Sequence, residues 1–417
     1  MSPAAASRAA IGAALATPLL MIGSCGISPV VLSLVAGLLA YACWRSGMSR
    51  QLLKRGIAGA ATPLGVLSLA LVLLLAVSLA WTPALKRGGE YVLHVTGSLA
   101  LLGIAGAGAR VLAPKVPAVV AAALIAFAAG VLTLDVALGG GLRDAFGLST
   151  DPFRLNRSAL AFALLLPLLT MLLLLERRWG WLALVWVVCR AAIFGSTSES
   201  AKLGAIVALV ALLLALVAPL ATNRLMGMVG VAATIMIPLL APVINDVIPR
   251  AVQEAIGYST LTLRGEIWRE YALMAVERPI FGFGVEAGNV AAHLPEADLL
   301  TETRRSLLDY GHPHNAALQI WYELGLVGAL VAAALLAALF RAFERHAGAL
   351  LPAATATAAG AYAVAYVSHG VWQAWWWCLL ALIGVLFVAH VSALSASLAA
   401  AFPAKPPRSE GASHSLK

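Results

Sequence analysis

"SALAFALLLPLLTMLLLL", residues 158–175, runs for eighteen residues without a charged side chain. As a helix rising ~1.5 Å per residue it nearly spans the ~30 Å hydrocarbon core of a bilayer. Similar runs recur along the whole chain. About twelve can be counted, near 9–25, 27–43, 57–80, 91–109, 118–138, 158–175, 180–194, 203–220, 225–243, 316–340, 352–371 and 374–398. Gly, Pro or charge separates neighbours. The 417 residues are 61% hydrophobic and 11% charged, with a mean hydropathy of +0.92. Soluble domains carry roughly 25% charged residues, so that class is excluded. A membrane β-barrel is excluded too, because its strands alternate and lack long apolar runs. The expected fold class is an all-α polytopic membrane protein with about twelve transmembrane helices and one large polar loop.

The net charge of +9 belongs to loops that anchor a membrane protein, and implies no nucleic acid. With the N-terminus inside, the inner short loops hold Arg45, Arg50, Lys54, Arg55, Arg110, Lys115, Arg177, Arg178, Arg224, Arg341 and Arg345. The outer ones hold Lys86, Arg87, Arg143, Arg154, Arg157 and Lys202. Eleven against six is the positive-inside bias. The first run lacks a small-residue cleavage site and reads as a retained helix. Cys25, Cys43, Cys189 and Cys378 lie in or beside apolar runs without CxxC spacing, so they read as small buried residues. The expected division is a transmembrane bundle of about nine helices over 1–243, an outer loop over 244–315, closing helices over 316–400 and a disordered cytoplasmic tail over 401–417.

The loop concentrates the polar chemistry. "TLRGEIWREYALMAVERPIFGFG" (262–284) reads as an amphipathic helix. Leu263, Ile267, Tyr271 and Met274 form its stripe, widened by Trp268 and Ala275. Glu266, Arg269 and Glu270 are expected away from that stripe, and Pro279, Gly282 and Gly284 beyond the helix end. The helix would lie on the outer membrane surface or pack against the mouth of the bundle. Arg264 at its start opposes the helix dipole, a placement that suits a bound anion, or it is one charge on a solvated face.

Further on, "DYGHPHNAALQIWYELGLVGAL" (309–330) places His312, His314 and Asn315 where the chain re-enters an apolar run. Asn315 is a plausible helix cap, and a neutral histidine is the usual general base near pH 7. The plainer reading is a wet helix start. A metal site from both histidines and Asp309 is a further alternative, although two histidines are a weak zinc signal. Arg190, in "WVVCRAAIFG", is a charge inside a membrane run, hence functional or snorkelling to the interface. Lys202 ends the polar turn "GSTSESAKLGA" (195–205), as a ligand or as an anchor. Together these residues suggest a diphosphate held by guanidinium groups, with a histidine to activate a hydroxyl. No paired aspartates stand out to hold a divalent metal.

With "RGEIWREYALMAVERPIFGFG", then "HPHNAALQIWYELGLVGAL", and the small-residue segment upstream, the chain resembles the O-antigen ligase and polymerase superfamily. The helix order matches throughout, and the specific motifs span about 185–330. The resemblance implies a GT-C-like glycosyltransferase of the bacterial inner membrane with its active site on the periplasmic side. It implies transfer of O-polysaccharide from undecaprenyl diphosphate to lipid A–core, needing neither metal nor cofactor. The family's loop histidine falls on His314, with His312 beside it, and its loop-helix arginine on Arg264. Lys202 stands where many members have arginine. The second diphosphate ligand is therefore open between Arg190 and Lys202.

The function expected is an O-antigen ligase that inverts the anomeric centre, with His314 or His312 as base. A polymerase or a protein O-oligosaccharyltransferase would share these motifs. A lipid or polysaccharide transporter is less compatible, because transporters carry polar groups at the membrane midplane rather than in one outer loop.

Overall fold

A computed structural model describes residues 1–256 and 261–401. The tail expected to be disordered lies, beyond residue 401, outside the described residues. Among the described residues there is no strand. Ten helices are long and apolar enough to cross a membrane. The bent pair Ser49–Ala60 and Pro63–Ser78 makes an eleventh candidate, and the apolar helix Trp179–Gly195 is one residue short of the eighteen required. Each expected run therefore has a helical counterpart, and the chain is a polytopic all-α membrane protein.

The run at 57–80 is not one straight helix. It breaks by 73° between Ser49–Ala60 and Pro63–Ser78. Pro63 starts the second helix, and Thr62 caps it by accepting the Gly65 N–H at 3.1 Å. The first helix buries none of its residues and carries Arg50, Lys54 and Arg55, a composition that suits a membrane interface.

The opening stretch lies at the centre. Helix Asn156–Leu175 buries sixteen of its twenty residues, against Trp179–Gly195, Glu199–Val217 and Leu351–Ala365. Glu199–Val217 and Leu351–Ala365 pack tightly on one another through small residues. A Cβ at Gly360 would lie 2.9 Å from the Gly204 carbonyl oxygen, so neither helix could hold a larger residue there. That close packing sets the ends of both helices side by side at the loop end of the bundle. Three of the four cysteines are buried and Cys25 is half-buried; all four are free thiols.

Helix Thr262–Ala275 packs against the mouth of the bundle, on Ala241–Val243 and on Ala316–His346. Its core face is the expected stripe, with one correction. Glu270 is 5% exposed, where the stripe predicts a solvated residue. Arg304, from the later part of the loop, forks onto both its carboxylate oxygens at 2.9–3.0 Å. That pairing makes burial of the charge tolerable.

The run after residue 315 contains a break as well. Helix Ala316–His346 is interrupted at Gly325, whose φ of 62° and ψ of −157° no helix contains. The break frees the carbonyls of Tyr322 and Glu323 and the N–H groups of Leu326 and Val327. All four are satisfied by 279–284. Phe283 and Gly284 donate to Tyr322 and Glu323 at 2.9 and 2.8 Å, while Leu326 and Val327 donate to Pro279 and Ile280 at 2.8 and 3.2 Å. Unpaired backbone groups at membrane depth would cost several kcal/mol each, so the two segments stand or fall together. This close backbone approach requires glycine. A Cβ at Gly325 would overlap the Ile280 carbonyl, and one at Gly282 the Glu323 carbonyl.

Candidate functional site at the loop end of the bundle

Asn315 caps the re-entering helix, its side chain accepting the Leu318 N–H at 3.0 Å. The cap turns the chain sharply, and His314 just before it takes a left-handed backbone with φ of 52°. This brings the two imidazoles together, with ring centroids 4.2 Å apart. Both are half-buried. Nδ1 of His314 lies 2.9 Å from the Ser368 carbonyl oxygen. A carbonyl only accepts, so Nδ1 carries the proton and Nε2 of the neutral ring is left as a free base. In His312 the arrangement is reversed. Its Nδ1 accepts the His314 backbone N–H at 3.1 Å, so its proton sits on Nε2.

Ser368 belongs to a connection, 366–373, that organises the site. The sequence reading carries an apolar run through residue 371 and gives this stretch no role. Arg264 donates to the Val367 carbonyl at 2.7 Å. Gln319 accepts the Val371 N–H at 2.9 Å. Glu323 accepts from the Trp372 indole at 2.6 Å. Ser368 Oγ donates to Ser200 Oγ at 3.2 Å, which ties in the polar turn at 195–200. His369 sits edge-on against Trp375, with centroids 4.7 Å apart.

Two carboxyl groups belong to the network around this connection, and the sequence reading assigns neither a role. Glu323 is fully buried and accepts from Gln319 and from the Glu286 backbone N–H, both at 2.8 Å, besides Trp372. It was legible as an acid within an apolar run, which is a functional signal by default. Glu286 pairs with Arg87 at 3.1 Å and accepts from Asn289. Burial outweighs the Arg87 charge and raises its carboxyl to about 7.

The electrostatics favour neutral histidines. Burial lowers His312 to about 3, helped by His314 and by the Arg87 cation. Burial also lowers His314, with Arg264 adding to the effect and the Ser368 carbonyl opposing it. His369 falls to about 3 through burial first, then through Arg157, both other histidines and Arg264. Arg264 itself is lowered by burial. No carboxylate lies within ion-pair reach of it among the described residues.

The other expected cations have different surroundings. Lys202 binds Glu199 at 2.8 Å, one turn back on its own helix. Arg190 is exposed, with its guanidinium 5.9 Å from the Phe194 ring centre. Among the described residues no hydrogen bond or ion pair joins either of them to His312, His314 or Arg264. Arg157, read from sequence only as a loop charge, stacks on Trp375 beside His369. Among the described residues no group of three His, Cys, Asp or Glu could hold a metal ion.

The arrangement comprises a base nitrogen with its proton fixed on the far side, half-buried cations and a partly dry setting. It can take a proton from a hydroxyl and receive an anionic leaving group. A comparison with curated proteins gives no match. Residues 153–333, which carry His312, His314, Arg264, Glu286 and Glu323, match the family model described as O-antigen ligase.

Proposed function

We propose that the protein is an O-antigen ligase of the bacterial inner membrane. It moves O-polysaccharide from undecaprenyl diphosphate to lipid A–core on the periplasmic face. The observation that carries this reading is the His314 imidazole, anchored through Nδ1 on Ser368 with Nε2 free, within the field of Arg264, which has no carboxylate partner among the described residues. In this reading 1–243 and 316–400 hold the two lipid-linked substrates at the membrane, and 244–315 supplies the base.

The step balances without a further reagent. An acceptor sugar hydroxyl attacks the anomeric carbon as its proton passes to Nε2 of His314. The bond from that carbon to the diphosphate oxygen breaks, and the diphosphate leaves with the electron pair. Attack opposite the leaving group inverts the centre. A diphosphate is stable as an anion, so it needs preorganised cations and no general acid. Arg264, locked on the Val367 carbonyl, meets it without rearrangement. His312 props the His314 backbone. No metal is required by this scheme.

The test uses membranes from a strain lacking its own ligase, scored by polysaccharide attached to lipid A–core. His314→Ala should cut the rate by ~10²–10⁴, the usual cost of a general base. His312→Ala should cost less, and wild-type activity should survive EDTA. Normal ligation by His314→Ala, or loss in EDTA restored by Mg²⁺, would overturn the mechanism. Longer free polysaccharide with none on lipid A–core would make the protein a polymerase.

A further inference from the structure

Four described arginines are not exposed: Arg143, Arg157, Arg264 and Arg305. Two of them have a carboxylate, Arg143 on Asp135 at 2.7 Å and Arg305 on Asp298 at 3.0 Å. Arg157 and Arg264 have none among the described residues. A guanidinium has five N–H donors, and withdrawing it from water with most of them idle is costly. Arg157 uses one on the Cys25 carbonyl at 3.2 Å, and its planar face lies 4.4 Å from the Trp375 ring centre. Arg264 uses one on Val367.

Both contact the chain at the 366–373 connection, Arg264 on its second residue and Arg157 on Trp375 just after it. His369 packs on the same Trp375 and feels both charges. Each arginine also sits in the first turn of its helix, Arg157 in Asn156–Leu175 and Arg264 in Thr262–Ala275. The helix dipole disfavours a cation there and favours an anion. Both adverse placements are relieved by one ligand with two negative groups.

We propose that Arg157 is the second cation of the diphosphate site, taking one phosphoryl group while Arg264 takes the other. The assignment rests on the lipid-diphosphate reading above. It puts Arg157 in the place that the sequence left open between Arg190 and Lys202. Stacking on Trp375 holds the guanidinium plane fixed and leaves its edge for a forked contact with phosphate oxygens. Lys202 has its charge taken by Glu199, and Arg190 is exposed, with its guanidinium over Phe194 of its own helix.

The experiment measures binding of undecaprenyl diphosphate and undecaprenyl monophosphate to the full-length protein in nanodiscs. The wild type should prefer the diphosphate, and Arg157→Ala should reduce that preference about tenfold or more while barely changing affinity for the monophosphate. Arg157→Lys keeps charge and length but not the fork, should also lose most of the preference, and decides the matter if the alanine variant does not fold. A folded variant that keeps the full preference overturns the assignment and leaves the ligase reading intact. So does an equal loss for both lipids, which would make Arg157 a prop for the Trp375 and His369 pair. A wild type that binds neither lipid overturns the assignment and the donor reading together.

Discussion

His314 combines three features that rarely coincide in a residue without a task. Its backbone is left-handed, at a cost of order 1–3 kcal/mol for a side chain with a Cβ. One ring nitrogen is fixed by Ser368, and the charge that the ring would acquire is disfavoured by burial and by Arg264. The pH dependence follows. The depressed value means that the free enzyme keeps a neutral base below the ordinary imidazole value of ~6.5. The acid limb of kcat/KM should therefore fall below pH 6.5. A bound diphosphate offsets the Arg264 field, so protonation becomes easier in the complex. The acid limb of kcat should then lie at higher pH than that of kcat/KM, because the two report complex and free enzyme respectively. Rate profiles from pH 4 to 8 measure both, and the reverse order would contradict the proposed electrostatics.

At the scale of elements, the exchange of backbone bonds between 279–284 and 322–327 joins the loop to a broken membrane helix. It also sets Glu323 against the Glu286 N–H and the Trp372 indole, and so carries the loop's position into the 366–373 connection. Gly325→Ala should break this joint. Its backbone is in a region that is essentially glycine-only, and its Cβ would overlap Ile280. The variant should melt several degrees lower in detergent and lose ligation. Gly37→Ala provides the contrast. Gly37 lies inside helix Ser28–Arg45 with nothing within 4 Å of a new Cβ, so the change should be neutral or stabilising. Equal melting temperatures for Gly325→Ala and wild type would mean that the break tolerates an ordinary residue.

For the whole molecule, the charge bias of the short loops and the position of the site can be tested together. Leu299, 91% exposed in the polar loop, should be on the periplasmic side. In a Cys25→Ser background the remaining native thiols are buried. Leu299→Cys should then react with a membrane-impermeant maleimide in intact spheroplasts. Reaction only after lysis would invert the topology, and with it the side on which the substrates meet.

Hydrophobic run length alone determined the class and where the apolar helices fall, because hydrocarbon imposes its thickness on every span; the expected twelve spans become ten, or eleven with the bent pair. Local chemistry also made the Asn315 cap, the stripe of the loop helix and the histidine pair legible, since each depends on neighbours within a turn or two. Contacts between distant segments were not legible. Glu270 looked solvated because its partner Arg304 lies 34 residues away. Gly325 looked like an ordinary helix residue because its break is stabilised by Pro279 and Ile280. The connection at 366–373 was hidden because most of it was counted in the apolar run 352–371, and it brings Ser368 to His314 and Trp375 to Arg157. Sequence could list the cations. Only tertiary packing decided which found a carboxylate and which, among the described residues, were left half-buried without one, since that depends on desolvation and on partners brought together by the fold.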